Sequence, residues 1–530
     1  MKTMYCNAAV YTGSLPLQEA FVVEDETFLF AGSRAQAEAL SPEQVVDLKG
    51  GFVCPGFNDS HMHLLNYGQA LSVAPLHRHT DSVAAMVACL QQTAPGRGGW
   101  ILGRGWNQDF FRDVQRMPNR YDLDRVSTCH PVCAIRACGH GLCLNSKALD
   151  LLGIHGPVEI PGGEVVTENG IPTGMLYDNA MDLVYAAIPA PTKADVKAML
   201  RSACQALNAQ GITSCHSDDY CVFQNLDWQV IHEAYRELEE AGQLTVKVWE
   251  QANFPSVENL RAYIDKGNIT GAGSGRFRIG PLKLLGDGAL GARTALLSRP
   301  YADAPDTAGL SVFTQAQMDA LVDCAHRAGM QVAVHTIGDG CLDMVLDALE
   351  KAMTAHPRQD HRHGIVHCQI TRPDQLERIA RLKLHVYAQS IFLDYDLHIV
   401  TQRAGPELAA TSYSWKTLMD LGATVSNGSD CPVELPRVLA GIQCAVTRRD
   451  LAGNGPYLPV QAFTLPQALD SFTRWGAYAS FEENRKGQIA PGMAADFTVL
   501  GENPFRTPPE TWQDIPVLAT YLDGEAVYRL

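Results

Sequence analysis

Several things are scarce in this sequence. No window approaches the roughly 20 consecutive apolar residues of a membrane-spanning helix. The opening Met1-Lys-Thr-Met-Tyr-Cys-Asn holds no apolar run long enough for a secretory signal, so no membrane partner is expected. Positive charge is also short: 42 Lys and Arg stand against 58 Asp and Glu, a net charge of −16. That argues against the basic surface on which nucleic-acid binding depends; it says nothing about fold. There is no internal repeat and no low-complexity tract. The 15 cysteines are scattered and odd in number, unlike a small secreted disulfide framework. Cys129, Cys133, Cys138 and Cys143 invite a zinc reading, but they lack paired C-x₂-C spacing and read as buried free thiols. A reducing cytoplasm fits these features and is the expected location.

What is present is a large apolar complement, 46% of residues, with 19% charged. At 530 residues the chain is one large barrel with additions, or two to four domains. Its ends read as short strands with Gly and Asp punctuation, over residues 1–55 and again over 485–530. One composite β-sandwich domain built from both termini is the expectation. Between them, apolar strand runs alternate with helical stretches such as Lys193–Gln210, Gln315–Ala328 and Arg372–Arg381. Eight strands are expected, at Gly56–Leu64, Gly211–Ser217, Thr245–Gln251, Phe277–Leu285, Gln331–Thr336, His363–Cys368, His385–Gln389 and Ala423–Asn427. The fold class is therefore α/β, a (β/α)₈ TIM barrel over residues 56–484. The gap after the first strand is too long for one crossover helix. Residues 66–191 are expected to form an inserted subdomain lying as a lid over the barrel mouth.

Barrel chemistry is carried at strand C-terminal ends, and polar residues follow the apolar runs there. The first strand ends in His61 and His63, two residues apart and so on one face. A lone His-x-His reads as two ordinary histidines. Here it is joined by Lys283 after the fourth strand, His335 after the fifth, His367 after the sixth and Asp430 after the eighth.

The chain resembles the amidohydrolase superfamily, and within it a branch of metal-dependent amide hydrolases that includes N-substituted formamide deformylases. The resemblance rests on Pro55-Gly-Phe-Asn-Asp-Ser-His-Met-His63, on Lys283 with Asp287-Gly-Ala-Leu-Gly-Ala-Arg-Thr294, and on His335-x-x-Gly-Asp339. His367, Gly428-Ser-Asp430 and the closing segment Gly487–Phe497 extend it over nearly the whole chain. It implies that His61 and His63 hold one divalent metal and His335 and His367 a second. Lys283 would bridge them as a CO₂-derived carbamate, and Asp430 would touch metal and water. Zinc suits these donors, with iron and manganese open. Asp430 would act as general base and then general acid on an amide carbonyl. The implied activity is hydrolysis of a non-peptide carbon–nitrogen bond in a small linear N-acyl or N-formyl amide. A homodimer is common in the family.

Alternatives stand beside each reading. Lys283 could make a plain salt bridge beside a single uncarboxylated metal site, and Asp430 could cap a helix. His140, in a Gly-His segment the family branch carries near substrate, could polarise the carbonyl or be a loop histidine. Asp59 and Asp339 read equally as carboxylates orienting ligand histidines and as loop caps. His216 is expected to face the pocket without ligating. Trp106, Asp109 and Arg293 read as core packing, a solvated charge and a salt bridge before they read as substrate contacts. His77, His79, His361 and His363 read as surface or loop residues. Deamination or cyclic-amide opening on the same site, or a non-catalytic scaffold, are the competing functions.

Overall fold

A computed structural model describes residues 1–79, 81–137, 141–160, 163–223 and 225–530. The chain divides into two compact units. One holds Met1–Leu64, Cys204–Cys221 and Tyr235–Leu530; the other holds Leu65–Ala203 and Val222–Ala234.

Eight parallel strands of the first unit pair in chain order: β1 (Phe57–Met62), β2 (Ile212–Ser217), β3 (Lys247–Asn253), β4 (Phe277–Leu285), β5 (Val332–Thr336), β6 (Gly364–His367), β7 (His385–Ala388) and β8 (Thr424–Asn427). Runs such as Val332-Ala-Val and Ile365-Val are buried on both faces, as a parallel sheet covered by helices requires. The connecting helices carry their own start signals. Thr314 and Gln317 form a reciprocal cap on Gln315–Arg327, and Pro373 opens Pro373–Arg381. The result is a nearly closed TIM barrel, with every strand within about two residues of its expected position.

The seam between β8 and β1 is closed by side chains and backbone. Asp59 accepts from Ser429 N at 3.0 Å and from Ser429 Oγ at 2.5 Å. The Asp430 N–H donates to His61 O at 2.8 Å. Gly428 is needed here, since a Cβ on it would lie 2.6 Å from His61 N and from Asp59 Oδ1. Below the rim the interior is filled by rings. His216, on β2, has its ring 6.4 Å from Trp249 and 6.0 Å from Tyr387, which reaches across from β7.

The two ends of the chain meet in one eight-stranded sheet. Glu525–Arg529, Val517–Leu522, Phe497–Leu500, Phe52–Pro55, Lys2–Val10, Gln18–Glu24 and Thr27–Gly32 follow in that order, and Gln44–Asp47 adds to Lys2–Val10. Its core is aromatic. Phe497 stacks on Tyr521 at 4.2 Å and Tyr5 on Phe21 at 4.9 Å, and Phe21 meets Phe497 edge-on at 5.0 Å. Such pairs add about 0.5–1.5 kcal/mol each beyond burial. The second unit has its own seven-stranded sheet, from Ala74–Pro75 at one edge to Glu159–Ile160 at the other. Trp106 lies in its core, with Nε1 donating to Ala134 O at 2.8 Å. No described helix is long and apolar enough to cross a membrane.

His361 and His363, expected as surface or loop residues, lie in the loop before β6 but not at the surface: they are 7% and 0% exposed. A polar His-Arg-His run is buried because its nitrogens are satisfied in series. Val332 N donates to His363 Nδ1 at 3.0 Å, and His363 Nε2 pairs with His326 Nδ1 at 2.8 Å. His326 Nε2 reaches His356 O, and His361 Nδ1 accepts from His363 N. Each ring in this chain must be neutral. Burial pushes His361 down to about 4 and His385, bracketed by Thr424 and Ser426 hydroxyls, down to about 3. These histidines protonate near pH 6.5 in the unfolded chain and far lower in the folded one, so the unfolded state takes up more protons as pH falls. Stability is therefore full above pH 6.5 and declines below it, down to about pH 4 for His361 and about pH 3 for His385. In urea unfolding between pH 7 and pH 5, His385→Gln is expected to flatten the slope, at most by about 1.4 kcal/mol per pH unit for one proton. An unchanged slope would show that His385 is not held neutral.

Candidate metal centre

At the C-terminal rim of the barrel, His61 and His63 from β1 and Asp430 after β8 lie with one ligand-type atom each within 4.8 Å of the others. Asp430 Oδ1 is 3.3 Å from His61 Nε2 and 3.1 Å from His63 Nε2. His367, at the end of β6, has its ring 5.5 Å from His61 and 4.5 Å from His335 of β5. Five of the six candidate ligands are thus linked by short contacts. The sixth, Lys283 on β4, is fully buried; its Nζ has no hydrogen bond and lies 3.7 Å from Asp218 Oδ2.

Local backbone geometry aims two of these side chains. His367, Cys368 and Asp430 have φ of 72°, 51° and 57°. Left-handed conformations in non-glycine residues cost of order 1–3 kcal/mol and persist where surroundings enforce them. At His367 the enforcement is visible: Trp415 Nε1 donates to its carbonyl at 3.0 Å, and Phe392 stacks on its ring at 5.8 Å.

Each imidazole is anchored through one nitrogen. His63 Nδ1 reaches Asp218 O at 3.1 Å, and His335 Nε2 reaches Gly288 O at 3.0 Å. Carbonyls only accept, so those nitrogens carry the proton. His61 Nδ1 meets Gln251 Oε1 at 2.6 Å and His367 Nδ1 meets Gln389 Oε1 at 2.8 Å. The amide orientation of Gln389 is set by its Nε2, which donates to Tyr387 O at 2.9 Å; that of Gln251 by donation to Ser60 O at 3.4 Å. The nitrogens turned toward the centre are then His61 Nε2, His63 Nε2, His367 Nε2 and His335 Nδ1, with His63 Nε2 paired with Asp430 Oδ1 at 3.1 Å. Fixing one nitrogen to leave the other basic is how protein sites prepare histidine for a cation.

The electrostatics agree. Burial lowers His61, His335 and His367, with Lys283 adding to it at His61 and His335; His335 falls to about 3. All three are neutral at pH 7, the state that ligates. At His63 burial also pulls downward, but the Asp430 carboxylate outweighs it and raises the group to about 9. Burial would raise Asp430, yet His61 and His63 hold it well below the usual carboxylate range. It is ionised and able to accept a proton. The donor set of four imidazoles and a carboxylate fits a first-row divalent metal. The orphaned Nζ of Lys283 fits a group that acquires a further partner.

The remaining expected residues fall elsewhere. Asp59 touches no imidazole ring; burial raises it to about 7, and it closes the barrel seam. Asp339 is a cap, accepting from Ser298 N and pairing with Arg372. Asp287 is the carboxylate beside His335 instead, 3.4 Å from Nε2, raised to about 7 by burial while it accepts from Ile337, Gly338 and Leu296 N–H groups. His216 is wholly buried, with neither ring nitrogen hydrogen-bonded. Asp109 is exposed beside Arg136, and Arg293 is paired with Asp303. His140 and Cys138 lie outside the described residues. Gln251, Gln389 and Asp218 have no motif that would select them as anchors from sequence; Asp287 opens the Asp287–Thr294 segment, which gives it no role beside His335.

The sequence profile of the amidohydrolase family matches residues 44–528. YtcJ of Bacillus subtilis, which carries an amidohydrolase name, is 33% identical over 521 residues, 96% of each chain. An N-substituted formamide deformylase of Arthrobacter pascens is 26% identical, covering 96% of this chain and 95% of that one. The crystal structure of an uncharacterized metal-dependent hydrolase from Pyrococcus furiosus superposes with a TM-score of 0.79 at 30% identity, over 96% of this chain and 100% of that one. With its barrel, its rim of histidines and a family match running over nine-tenths of its length, this chain belongs to the amidohydrolase family.

Proposed function

We propose that this protein is a metal-dependent hydrolase of a non-peptide carbon–nitrogen bond, acting on a small linear N-acyl or N-formyl amide. The observation that carries the reading is the meeting of His61, His63, His335, His367, Lys283 and Asp430, from five strands, at one rim of the barrel. The branch resemblance and the deformylase relative support the linear amide.

His61 and His63 would hold one divalent ion and His335 and His367 a second, with Lys283 between them as a carbamate. Carboxylation joins the neutral Nζ to CO₂ and releases a proton. The gain is two oxygen donors where the amine makes no hydrogen bond. Zinc is the ion we favour, with iron and manganese also matching the donors. Such a metal supplies a water acidified to about pH 7 and a polarised carbonyl. Asp430 takes the proton of the attacking water on a carboxylate oxygen and returns it to the departing amine nitrogen, so that acid and amine leave. The free thiols of all 14 described cysteines support a reducing cytoplasm. We also propose residues 1–55 with 485–530 as one β-domain, 56–484 as the catalytic barrel and 66–191 as an inserted subdomain.

Three outcomes check this reading. A panel of N-formyl and N-acyl amines is expected to release the amine; release of ammonia alone would assign a deaminase. Chelator treatment is expected to abolish turnover and zinc, iron or manganese to restore it; full activity in metal-free protein would end the proposal. Asp430→Asn, isosteric but unable to take up a proton, is expected to lower kcat about 10²–10⁴-fold with KM little changed. Wild-type kcat in that variant would remove Asp430 from its role.

A further inference from the structure

Glu250 lies on β3 next to Gln251, and successive strand residues point to opposite faces. Gln251 turns inward to His61. Glu250 turns outward from the barrel interior, where nothing so far gives it a task, yet it is 0% exposed and its Oε2 has no hydrogen-bond partner. A buried carboxyl in that state calls for an explanation. Its Oε1 accepts from Asp219 N at 3.1 Å. That N–H belongs to the same peptide unit as the Asp218 carbonyl, which accepts from His63 Nδ1 at 3.1 Å. A peptide unit is planar and trans, so its C=O and N–H point in opposite directions and cannot turn separately. One rigid plane is therefore clamped between Glu250 on the outside and His63 on the inside.

We infer that Glu250 is a positioning residue for His63: by holding the Asp218–Asp219 peptide, it keeps the carbonyl toward Nδ1 and so leaves Nε2 as the nitrogen that faces the centre and can give up its proton to ligate. Without the acceptor at Glu250, the plane is free to rotate. If it flips, an N–H faces Nδ1, the ring must take its other tautomer, and Nε2 carries a proton where a ligand atom is required. The neighbours fit this role. Asp218 N donates to Met62 O at 3.0 Å, the Tyr235 hydroxyl donates to the Asp219 carboxylate, and Tyr235 is itself buried. Burial, with Asp219 and Asp218 nearby, raises Glu250 well above the usual carboxylate range. That direction favours the protonated acid, of which glutamine is the isostere.

This inference rests on the metal reading, and its test separates the two. The metal-free protein is titrated with zinc against a chromophoric chelator. Glu250→Leu is expected to weaken zinc binding about 10–100-fold, the usual cost of losing a residue that orients a ligand. Glu250→Gln is expected to restore wild-type affinity. In a His63→Ala background, Glu250→Leu is expected to change affinity no further, because its effect passes through His63; a general loosening of the fold would weaken both backgrounds alike. Should the leucine variant not fold, Glu250→Asp, which withdraws the acceptor by one methylene, takes its place in the same cycle. Wild-type affinity in the leucine or aspartate variant, or an equal loss in the His63→Ala background, would overturn the role of Glu250. Absence of zinc binding by the wild-type protein would overturn the metal reading instead.

Discussion

The arrangement at the barrel rim depends on one constraint: each of the four imidazoles of the centre has one nitrogen tied to a neutral oxygen of the scaffold. Asp218 O, Gly288 O, Gln251 Oε1 and Gln389 Oε1 each take one N–H. A histidine tied at both nitrogens to such oxygens would be inert; one tied at neither would be free to turn. Anchored at one, it turns its other nitrogen in a fixed direction, and those of His61 and His63 meet Asp430. Two of the four oxygens are main-chain carbonyls, so the preparation of the site is built into the paths of the loops after β2 and β4.

The barrel supports this from below and from the seam. Rings of His216, Trp249 and Tyr387 fill the interior beneath the rim. Asp59 stitches the end of β8 to β1 through Ser429, which brings Asp430 beside His61 and His63. Left-handed backbone at His367 and Asp430 is part of the same device: the cost of those conformations is met by the hydrogen bonds and stacking around them. Burial acts on the charges in a consistent direction. It keeps His335 and His367 neutral, while two imidazoles keep Asp430 ionised.

The barrel was legible in the sequence because parallel strands buried on both faces are continuous apolar runs, and those runs stand out between amphipathic helices. The polar residues that end them were legible for the same reason: His335 after Val-Ala-Val interrupts a pattern. The anchors were not legible. Gln251 and Gln389 are ordinary residues at strand ends, and the carbonyls of Asp218 and Gly288 have no side-chain signature. Asp339, expected on equal terms as a histidine partner, instead holds the loop at Ser298 and pairs with Arg372, while Asp287 lies by His335 because its loop folds back against β5. The loop positions of His361 and His363 were legible but their burial was not, since burial of histidine depends on partners 30 or more residues away, His326 and Val332 among them.

The most direct measurement of the central claim is an anomalous-difference map from crystals of the metal-loaded protein, collected at the edge of the bound element. The account predicts a peak about 2.0–2.1 Å from His61 Nε2 and His63 Nε2, and a second at the same distance from His335 Nδ1 and His367 Nε2, with carbamate density on Lys283 between them. A fully loaded protein whose metal lies away from these four nitrogens would contradict it.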